Sequence, residues 1–227
     1  MDITEKDLRR TLELVLPVWD KLSLAEREYI TRSTTLHHFT AGSPIHGGRD
    51  DCVGVLLVVR GQLRTYFLSD EGREITLFRP HYGSSCLLSA SCVLPTITFD
   101  VFVDAQTDVD LLIIAPNCFN KIMQQNPSVE AFAYRQVAER FSEVMWVMQQ
   151  VLFVSFDKRL ATYLLAEAAA QHGLRIVTTH DTVARDLGSA REVVSRMLKY
   201  FEREGWVKLS RGTITLTNPP QLKILAE

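Results

Sequence analysis

One stretch of the sequence decides the fold: it reads GSAREVVSRMLK and covers residues 188–199. Glycine enters a left-handed turn at little cost, so Gly188 is expected to form a tight turn. Ser189 is then expected to cap a helix that runs from Ala190 to about Glu204 and is ended by Gly205. The apolar residues of this helix recur at helical spacing and predict a buried stripe, made of Val193, Val194, Met197, Leu198 and Phe201.

The segments on either side complete a known arrangement. A shorter helix is predicted from a cap at Thr179 to Leu187, and two helices joined by a glycine turn have helix-turn-helix spacing. Downstream, residues 206–209 and 213–216 alternate around Ser210-Arg211-Gly212, which predicts a β-hairpin. The whole segment therefore reads as a winged helix-turn-helix.

The second helix carries charged residues on the side away from its apolar stripe. In a helix-turn-helix the first turns of this helix enter the major groove of DNA, where Arg can pair with guanine and Glu can accept from cytosine. The alternative is a solvated face with ion pairs along the helix. We favour base reading, and the predicted DNA-contacting residues are Arg191, Glu192, Ser195, Arg196, Lys199, Ser189, Thr179 and Arg211.

A long helix is predicted upstream, opened by Asn126-Pro127-Ser128 and continuing to about Leu152. About 25 residues at 1.5 Å each span roughly 38 Å, which is longer than a small domain needs. The apolar residues of this helix follow a heptad pattern that begins at Tyr134, and it predicts a dimer seam that continues through Val137, Phe141, Val144, Met148 and Val151. The alternative is an ordinary helix packed on its own domain.

The segment from Thr34 to about Ala115 is rich in short β-type runs separated by turn residues. Runs at this spacing predict an antiparallel barrel or jelly roll. The runs are 53–59, 63–68, 75–78, 97–103 and 109–114. The first 33 or so residues read as helix, broken at Pro17 and restarted by a capping box at Ser23, and a further helix is predicted over 157–171.

These elements predict an α+β protein with three parts. They are a β-roll sensor domain with N-terminal helices over 1–126, a dimerisation helix over 127–153 and a DNA-binding domain over 154–227.

Composition fits a globular protein that works on nucleic acid. The 227 residues are 46% hydrophobic and carry a net charge of −2, but residues 154–227 hold 11 Lys and Arg against 8 Asp and Glu. A mildly basic tail on an acidic body is typical of a DNA-contacting module. We predict a cytoplasmic protein for three reasons. The four cysteines are too few and too scattered for a secreted disulfide scaffold, the N-terminal segment has no signal-peptide apolar stretch, and no apolar run is long enough to span a membrane.

Residues 188–199 resemble the recognition helix of the CRP/FNR superfamily of bacterial transcription regulators. Residues 156–161 (FDKRLA) and 211–214 (RGTI) also match the habit of that family, as does the order of parts. The resemblance implies a cyclic-nucleotide-binding-like β-roll, a homodimer, and control of transcription through double-stranded DNA. It also implies that RNA polymerase is a partner if the protein is an activator.

Position by position, the resemblance places Glu192 and Arg196 where family members read a TGA-containing half-site. Arg191 matches the cyclic-AMP-receptor type and Ser195 matches the fumarate–nitrate type, so the outer bases of the half-site stay open. A dimer of this kind is expected to read an inverted repeat with half-sites about one helical turn apart.

Two departures from the family concern the signal. The cyclic-AMP pocket uses a Gly-Glu pair and an Arg-Ser pair, but ungapped alignment places Leu88-Ser89 and Phe99-Asp100 there. Because no Arg lies between Arg79 and Arg135, a cyclic phosphate would find no cation, and we predict that cyclic AMP does not bind. The N-terminal cysteine cluster of the iron–sulfur relatives is missing too, since the first cysteine is Cys52.

Residues 84–93 occupy the effector region of the family and are small, apolar and thiol-containing. The candidate pocket residues are Cys86, Leu88, Ser89, Cys92, Phe99, Asp100 and Phe141. Three hypotheses compete. The pocket takes an apolar or aromatic molecule, or its thiols form a redox switch or an inert core, or a haem or iron–sulfur cofactor is bound. The candidate ligands of such a cofactor are Cys86, Cys92, Cys118, His37, His38, His46 and His81.

Two other classes of function fit the sequence less well than regulation. A cupin-like metal enzyme needs a His-x-His…Glu…His set on the strands, but His37 and His38 precede the predicted strands and His81 stands alone. A module whose winged helix contacts protein does not explain the Arg191, Glu192 and Arg196 face. We therefore predict a regulator and no enzyme.

Overall fold

The computed structural model describes residues 5–47, 53–87 and 101–227, and the chain divides into two compact units. The first unit comprises Met1–Phe67 and Leu77–Val144, and the second comprises Leu68–Thr76 and Met145–Glu227.

The first unit begins with two helices, α1 (Glu5–Val15) and α2 (Leu24–Arg32), joined through a 3-10 turn at Trp19–Lys21. The predicted capping box is present at α2: the Ser23 side chain accepts from the Glu26 amide, and the Glu26 carboxylate accepts from the Ser23 amide at 2.7 Å. These reciprocal bonds satisfy two amides that the first turn of a helix would otherwise leave without partners.

Two four-stranded antiparallel sheets follow the helices and form the β-roll. The strands are β1 (Thr34–Phe39), β2 (Pro44–Gly47), β3 (Val55–Arg60), β4 (Leu63–Leu68), β5 (Glu74–Phe78), β6 (Ser85–Cys86), β7 (Phe102–Ala105) and β8 (Val109–Ile114). They are arranged in the orders β1-β8-β3-β6 and β2-β7-β4-β5.

Strand β3 of the first sheet is buried on both faces. Leu56 and Val58 join the core between the strands of the roll, whereas Val55 and Leu57 pack in a second core with the helices. Successive side chains of a strand point to opposite faces, so a fully apolar run such as VLLV serves both cores. The β-roll prediction is therefore confirmed.

Two helices close this part of the chain. α3 (Pro116–Gln125) is joined through Asn126 to α4 (Pro127–Phe153), whose bounds agree with the predicted long helix. The side-chain Oδ1 of Asn126 accepts from the Ser128 amide at 3.0 Å, which fixes the start of α4.

The second unit holds the predicted winged helix-turn-helix. Its elements are α5 (Phe156–Ala170), β9 (Arg175–Val177), α6 (His180–Leu187), α7 (Arg191–Arg203), β10 (Val207–Ser210), β11 (Thr213–Leu216) and α8 (Pro219–Ala226). Strands β10, β11 and β9 form a small antiparallel sheet in that order. One apolar core joins the helices to this sheet, with Leu164, Val194, Leu198 and Phe201 fully buried in it.

Several elements were missed by the sequence prediction. β1 reads TTLHHF and is mostly exposed, so it lacks the apolar alternation that marks a strand, and His37 and His38 lie within it and not before the strands. α3, α8 and the short β2, β6 and β9 were not predicted either. None of the helices in the described parts of the chain combines the length and apolar character needed to cross a bilayer.

Candidate DNA-binding interface

The first helix of the motif, α6, is fixed at both ends by its own residues. The Thr179 hydroxyl accepts from the Thr182 amide at 3.1 Å and caps the start of α6. Gly188 ends the helix in the left-handed conformation, with φ 59° and ψ 48°. Both features agree with the sequence analysis. Thr179 is exposed, so its position next to the motif leaves it accessible to a partner.

The start of α7 differs by one residue from the prediction. The cap residue is Ala190, with φ −83° and ψ 145°, and the helix begins at Arg191, so Ser189 does not cap it. The reason is that the Ser189 amide still bonds to the Ala184 carbonyl at 2.9 Å, which keeps Ser189 in the turn that closes α6.

The two faces of α7 are sharply different. Val194, Leu198 and Phe201 are fully buried. The opposite side holds the predicted contact residues: Arg191, Glu192, Arg196 and Lys199 are exposed, and Ser195 is half-buried. The helix therefore presents its charged side chains in its first turns while its apolar side anchors it.

Charge pairing on this face is sparse. Arg191 Nη1 lies 3.3 Å from Asp181 Oδ2 of α6, and both side chains are more than half exposed. Within the described residues, Glu192 and Arg196 take part in no ion pair. A solvated face stabilised by ion pairs along α7 would be expected to pair these two residues, which are four positions apart. The solvated-face alternative therefore loses its main support.

The wing is a tight hairpin attached to α7. Ser210 pairs with Thr213, so Arg211 and Gly212 form a two-residue loop, and Gly212 has φ 68°. Arg211 is exposed at its tip. The Glu202 carboxylate accepts from the Leu209 amide at 2.8 Å, and Trp206 packs on Phe201 with ring centroids 5.2 Å apart.

Two residues at this interface were missed by sequence reasoning. Asp181 pairs with Arg191, and Arg159 of α5 donates from Nη1 to the Leu187 carbonyl at 2.7 Å, next to the turn. Burial lowers the pKa of Arg159 from its usual value, because desolvation disfavours the charged form. The polarity of a helix favours a cation at its C-terminal end, which is a reason to expect one near Leu187. Arg159 is 28 residues away from Leu187 in the sequence, so the local pattern does not identify it.

The long helix α4 presents a different surface. Of the predicted seam residues, Phe141 and Met148 are 63% and 49% exposed. Val137 and Val144 instead pack against the two cores of the first unit, and Val151 is half-buried. An exposed apolar stripe at heptad spacing lies one position further round the helix; we call it the α4 stripe, and it consists of Tyr134, Ala138, Phe141, Met145, Met148 and Leu152.

The predicted effector residues are only partly described. Cys86 is buried in β6 among the core of the roll, whereas Phe141 is exposed, so this chain does not bury the two together. Phe141 as a wall of the effector pocket stays a prediction, and its exposed position on α4 also places it in the α4 stripe. The remaining candidates lie outside the described residues: Leu88, Ser89, Cys92, Phe99 and Asp100.

The histidines and cysteines do not converge in the described parts of the chain, where no group of three potential metal ligands is found. His38 Nδ1 lies 2.8 Å from Asp110 Oδ1, which lowers the pKa of that carboxyl, and His46 is buried. Burial raises the pKa of the Cys118 thiol, which disfavours the thiolate that ligates metals or reacts with oxidants.

Comparisons with known proteins agree with this geometry. Residues 158–225 match the Crp-like helix-turn-helix domain. A solved structure described as a CRP/FNR-family transcriptional regulator from Eubacterium rectale is 45% identical, covers 92% of this chain and 97% of its own, and superposes with a TM-score of 0.89.

More distant relatives are similar over most of the chain. The cAMP-activated global transcriptional regulator CRP of Haemophilus influenzae is 22% identical over 188 residues, which are 80% of this chain and 83% of that protein. The transcriptional regulator SdrP of Thermus thermophilus is 26% identical over 195 residues, 81% of this chain and 87% of that protein. With a β-roll, a long helix and a winged helix-turn-helix in this order, the chain belongs to the CRP/FNR family of DNA-binding transcription regulators.

Proposed function

We propose that this protein binds, as a homodimer, an inverted repeat in double-stranded DNA through the exposed face of α7, under the control of a signal received by the β-roll. The observation that carries the proposal is the pair Glu192 and Arg196, exposed and without ion-pair partners in the described residues, on a helix whose other face is buried. RNA polymerase is a further partner if the protein activates, and chromosomal DNA as the partner implies work in the bacterial cytoplasm.

Base reading follows from the chemistry of this face. A carboxylate that faces DNA is repelled by the phosphates, so Glu192 gains by accepting from the exocyclic amine of cytosine in the major groove. Arg196 offers a planar fork that matches O6 and N7 of guanine. Arg191 and Lys199 flank them and lower the cost of bringing Glu192 to the backbone, while Ser189, Thr179 and Arg211 suit phosphate contacts.

Dimerisation follows from the α4 stripe. α4 contains 27 residues, a length of about 40 Å at 1.5 Å per residue. An exposed stripe of large apolar side chains at spacings of three and four residues is what a parallel helical partner buries. We assign the seam to the α4 stripe, retaining Tyr134, Phe141 and Met148 of the predicted set, because Val137 and Val144 already pack within the chain.

Binding to DNA can be tested directly with the purified full chain. The probe is a duplex with two TGA-containing half-sites in inverted repeat, and the control is a scrambled duplex of the same composition. We expect at least about a thousandfold preference for the repeat, and an affinity that falls steeply as salt rises. Equal affinity for both duplexes contradicts the proposal.

The signal is proposed to differ from cyclic AMP. A family pocket for the cyclic phosphate needs an arginine, and the sequence between Arg79 and Arg135 supplies none. Titration calorimetry with cyclic AMP is expected to give no heat of binding at micromolar concentrations, and micromolar affinity would overturn this part. An apolar ligand, a thiol switch and a haem or iron–sulfur cofactor stay open as the source of the signal.

A further inference from the structure

The turn between α6 and α7 is held by contacts from residues far away in the sequence. Asp186, one residue before the last of α6, lies at their centre. Its Oδ1 lies 3.1 Å from the Thr76 hydroxyl, and its Oδ2 accepts from the Tyr163 hydroxyl at 3.0 Å. We call Thr76, Tyr163 and Asp186 the turn cluster; all three belong to the second unit.

The position of Asp186 requires an explanation. A carboxylate in the last turn of a helix faces the negative end of the helix dipole, which is unfavourable. Two hydroxyl donors compensate for this: Thr76 is only 6% exposed, and Tyr163 is half-buried. Burial, and secondly the charge of Asp186, raise the pKa of Tyr163, so its hydroxyl stays protonated and able to donate.

Apolar contacts at the same turn come from the same short segment, Leu68–Thr76. The left-handed Gly188 has no side chain, and a Cβ there would lie 2.8 Å from Cγ1 of Ile75. The Thr76 hydroxyl also lies 3.4 Å from the Arg185 carbonyl oxygen. Ile75 and Thr76 therefore fit against the last turn of α6 and the glycine after it.

The geometry points to a role for this cluster in DNA binding: we propose that Thr76, through Asp186, is a positioning residue for the recognition helix. Only Ser189 and Ala190 separate Gly188 from Arg191, the first residue of α7. A displacement of the turn therefore reorients the residues that would face the bases. The proposal rests on the proposed function, since it concerns how α7 is aimed.

Two substitutions at Thr76 and one control elsewhere test the proposal. Thr76→Val keeps the volume and removes the donor, Thr76→Ser keeps the donor, and Thr162→Val is the matched control, since the exposed Thr162 hydroxyl donates to the Lys158 carbonyl of its own helix. The readout is the specificity ratio, the affinity for the inverted repeat divided by that for the scrambled duplex. This ratio cancels effects that act on all DNA equally.

We expect Thr76→Val to lower the specificity ratio about fivefold, and Thr76→Ser and Thr162→Val to leave it within about twofold of the wild type. The double variant Thr76→Val/Asp186→Ala is expected to match Asp186→Ala alone, because both changes remove the same contact. An unchanged or raised ratio for Thr76→Val, an equal loss for Thr76→Ser, or additive losses in the double variant would overturn the proposal.

Hydrogen exchange separates this proposal from the proposed function. Without DNA, Thr76→Val is expected to speed amide exchange over residues 186–191 relative to Thr162→Val, with the rest of the second unit unchanged. Equal exchange in both variants contradicts the turn cluster whatever the DNA result. A wild-type specificity ratio near one, with faster exchange in Thr76→Val, contradicts the DNA-reading proposal alone.

Discussion

Helices α4 and α7 are both amphipathic, and each exposes the opposite kind of surface. α7 buries its apolar residues and exposes arginine, glutamate and lysine, whereas α4 exposes tyrosine, phenylalanine and methionine along a stripe. An exposed apolar stripe of this length is rare on a protein that works alone, and it favours a protein partner. The exposed charged face favours a partner that offers hydrogen bonds and negative charge. The comparison thus separates a surface for self-association from a surface for DNA.

The largest expected effect comes from a charge placed on the α4 stripe. In Phe141→Glu, burial of a carboxylate against its copy in a partner helix would cost far more than the seam can compensate, so the dimer dissociates. Operator affinity is expected to fall at least about a hundredfold, because each monomer then binds one half-site without the help of the other.

Sedimentation velocity measures the oligomeric state of this variant. The control is Ser128→Glu, which adds the same charge to the exposed first turn of α4, away from the stripe. If Phe141→Glu still sediments as a dimer, the α4 stripe is not the dimer seam.

The next effect concerns α7. Arg196→Ala is expected to weaken operator binding by about 1–3 kcal/mol and to relax specificity at one base pair of each half-site. Fluorescence anisotropy with single-base variants of the duplex measures both. Arg203→Ala is the matched control, because Arg203 is exposed at the far end of α7 and pairs with Glu204. If the two variants lose affinity equally and keep the same base preferences, Arg196 acts only through its charge.

A smaller effect is expected at the turn that precedes α7. Gly188→Ala meets both a left-handed backbone and Ile75, whereas Gly205→Ala, at φ 75°, has no atom within 4 Å of the new methyl group. The backbone term alone costs about 1–2 kcal/mol in each case. We therefore expect the urea midpoint of unfolding to fall further for Gly188→Ala than for Gly205→Ala. Equal midpoints would mean that the Ile75 side chain moves away from the new methyl group with no loss of stability.

The smallest effect concerns the ion pair between Asp181 and Arg191. Exposed pairs contribute at most about 1 kcal/mol, so Asp181→Asn is expected to tighten operator binding about two- to fivefold by releasing Arg191 and removing a repulsive charge. Glu204→Gln, which makes the same charge change beyond the C-terminal end of α7, controls for the general charge effect. Weaker binding of Asp181→Asn would show that Asp181 instead orients Arg191 towards DNA.

The contrast between the two helices also explains what could be predicted from the sequence. For α7, turn glycine, apolar spacing and wing signals are all local, and they specified both faces of the helix. For α4, apolar residues occur on two adjacent stripes, one containing Val137 and Val144 and the other containing Tyr134 and Met145. Which stripe faces the chain's own cores depends on long-range packing, so the predicted seam and the α4 stripe share only Tyr134, Phe141 and Met148.

The same limit applies to single residues. The cap of α7 moved from Ser189 to Ala190 because of a bond to Ala184, which the local pattern does not encode. Thr76 and Asp186 are 110 residues apart, and nothing in the spacing of either residue indicates that they meet. The polar strand β1 escaped prediction because its pairing with β8, and not its composition, makes it a strand.

The central claim is that α7 reads bases as part of a symmetric dimer, and selection of bound sequences from a library of randomised duplexes tests it most directly. We predict enrichment of an inverted repeat with TGA-containing half-sites about one helical turn apart, and loss of one half-site base preference when Arg196→Ala is used instead. Enrichment of no sequence, or of a single unrepeated site that Arg196→Ala reads equally well, would contradict the account.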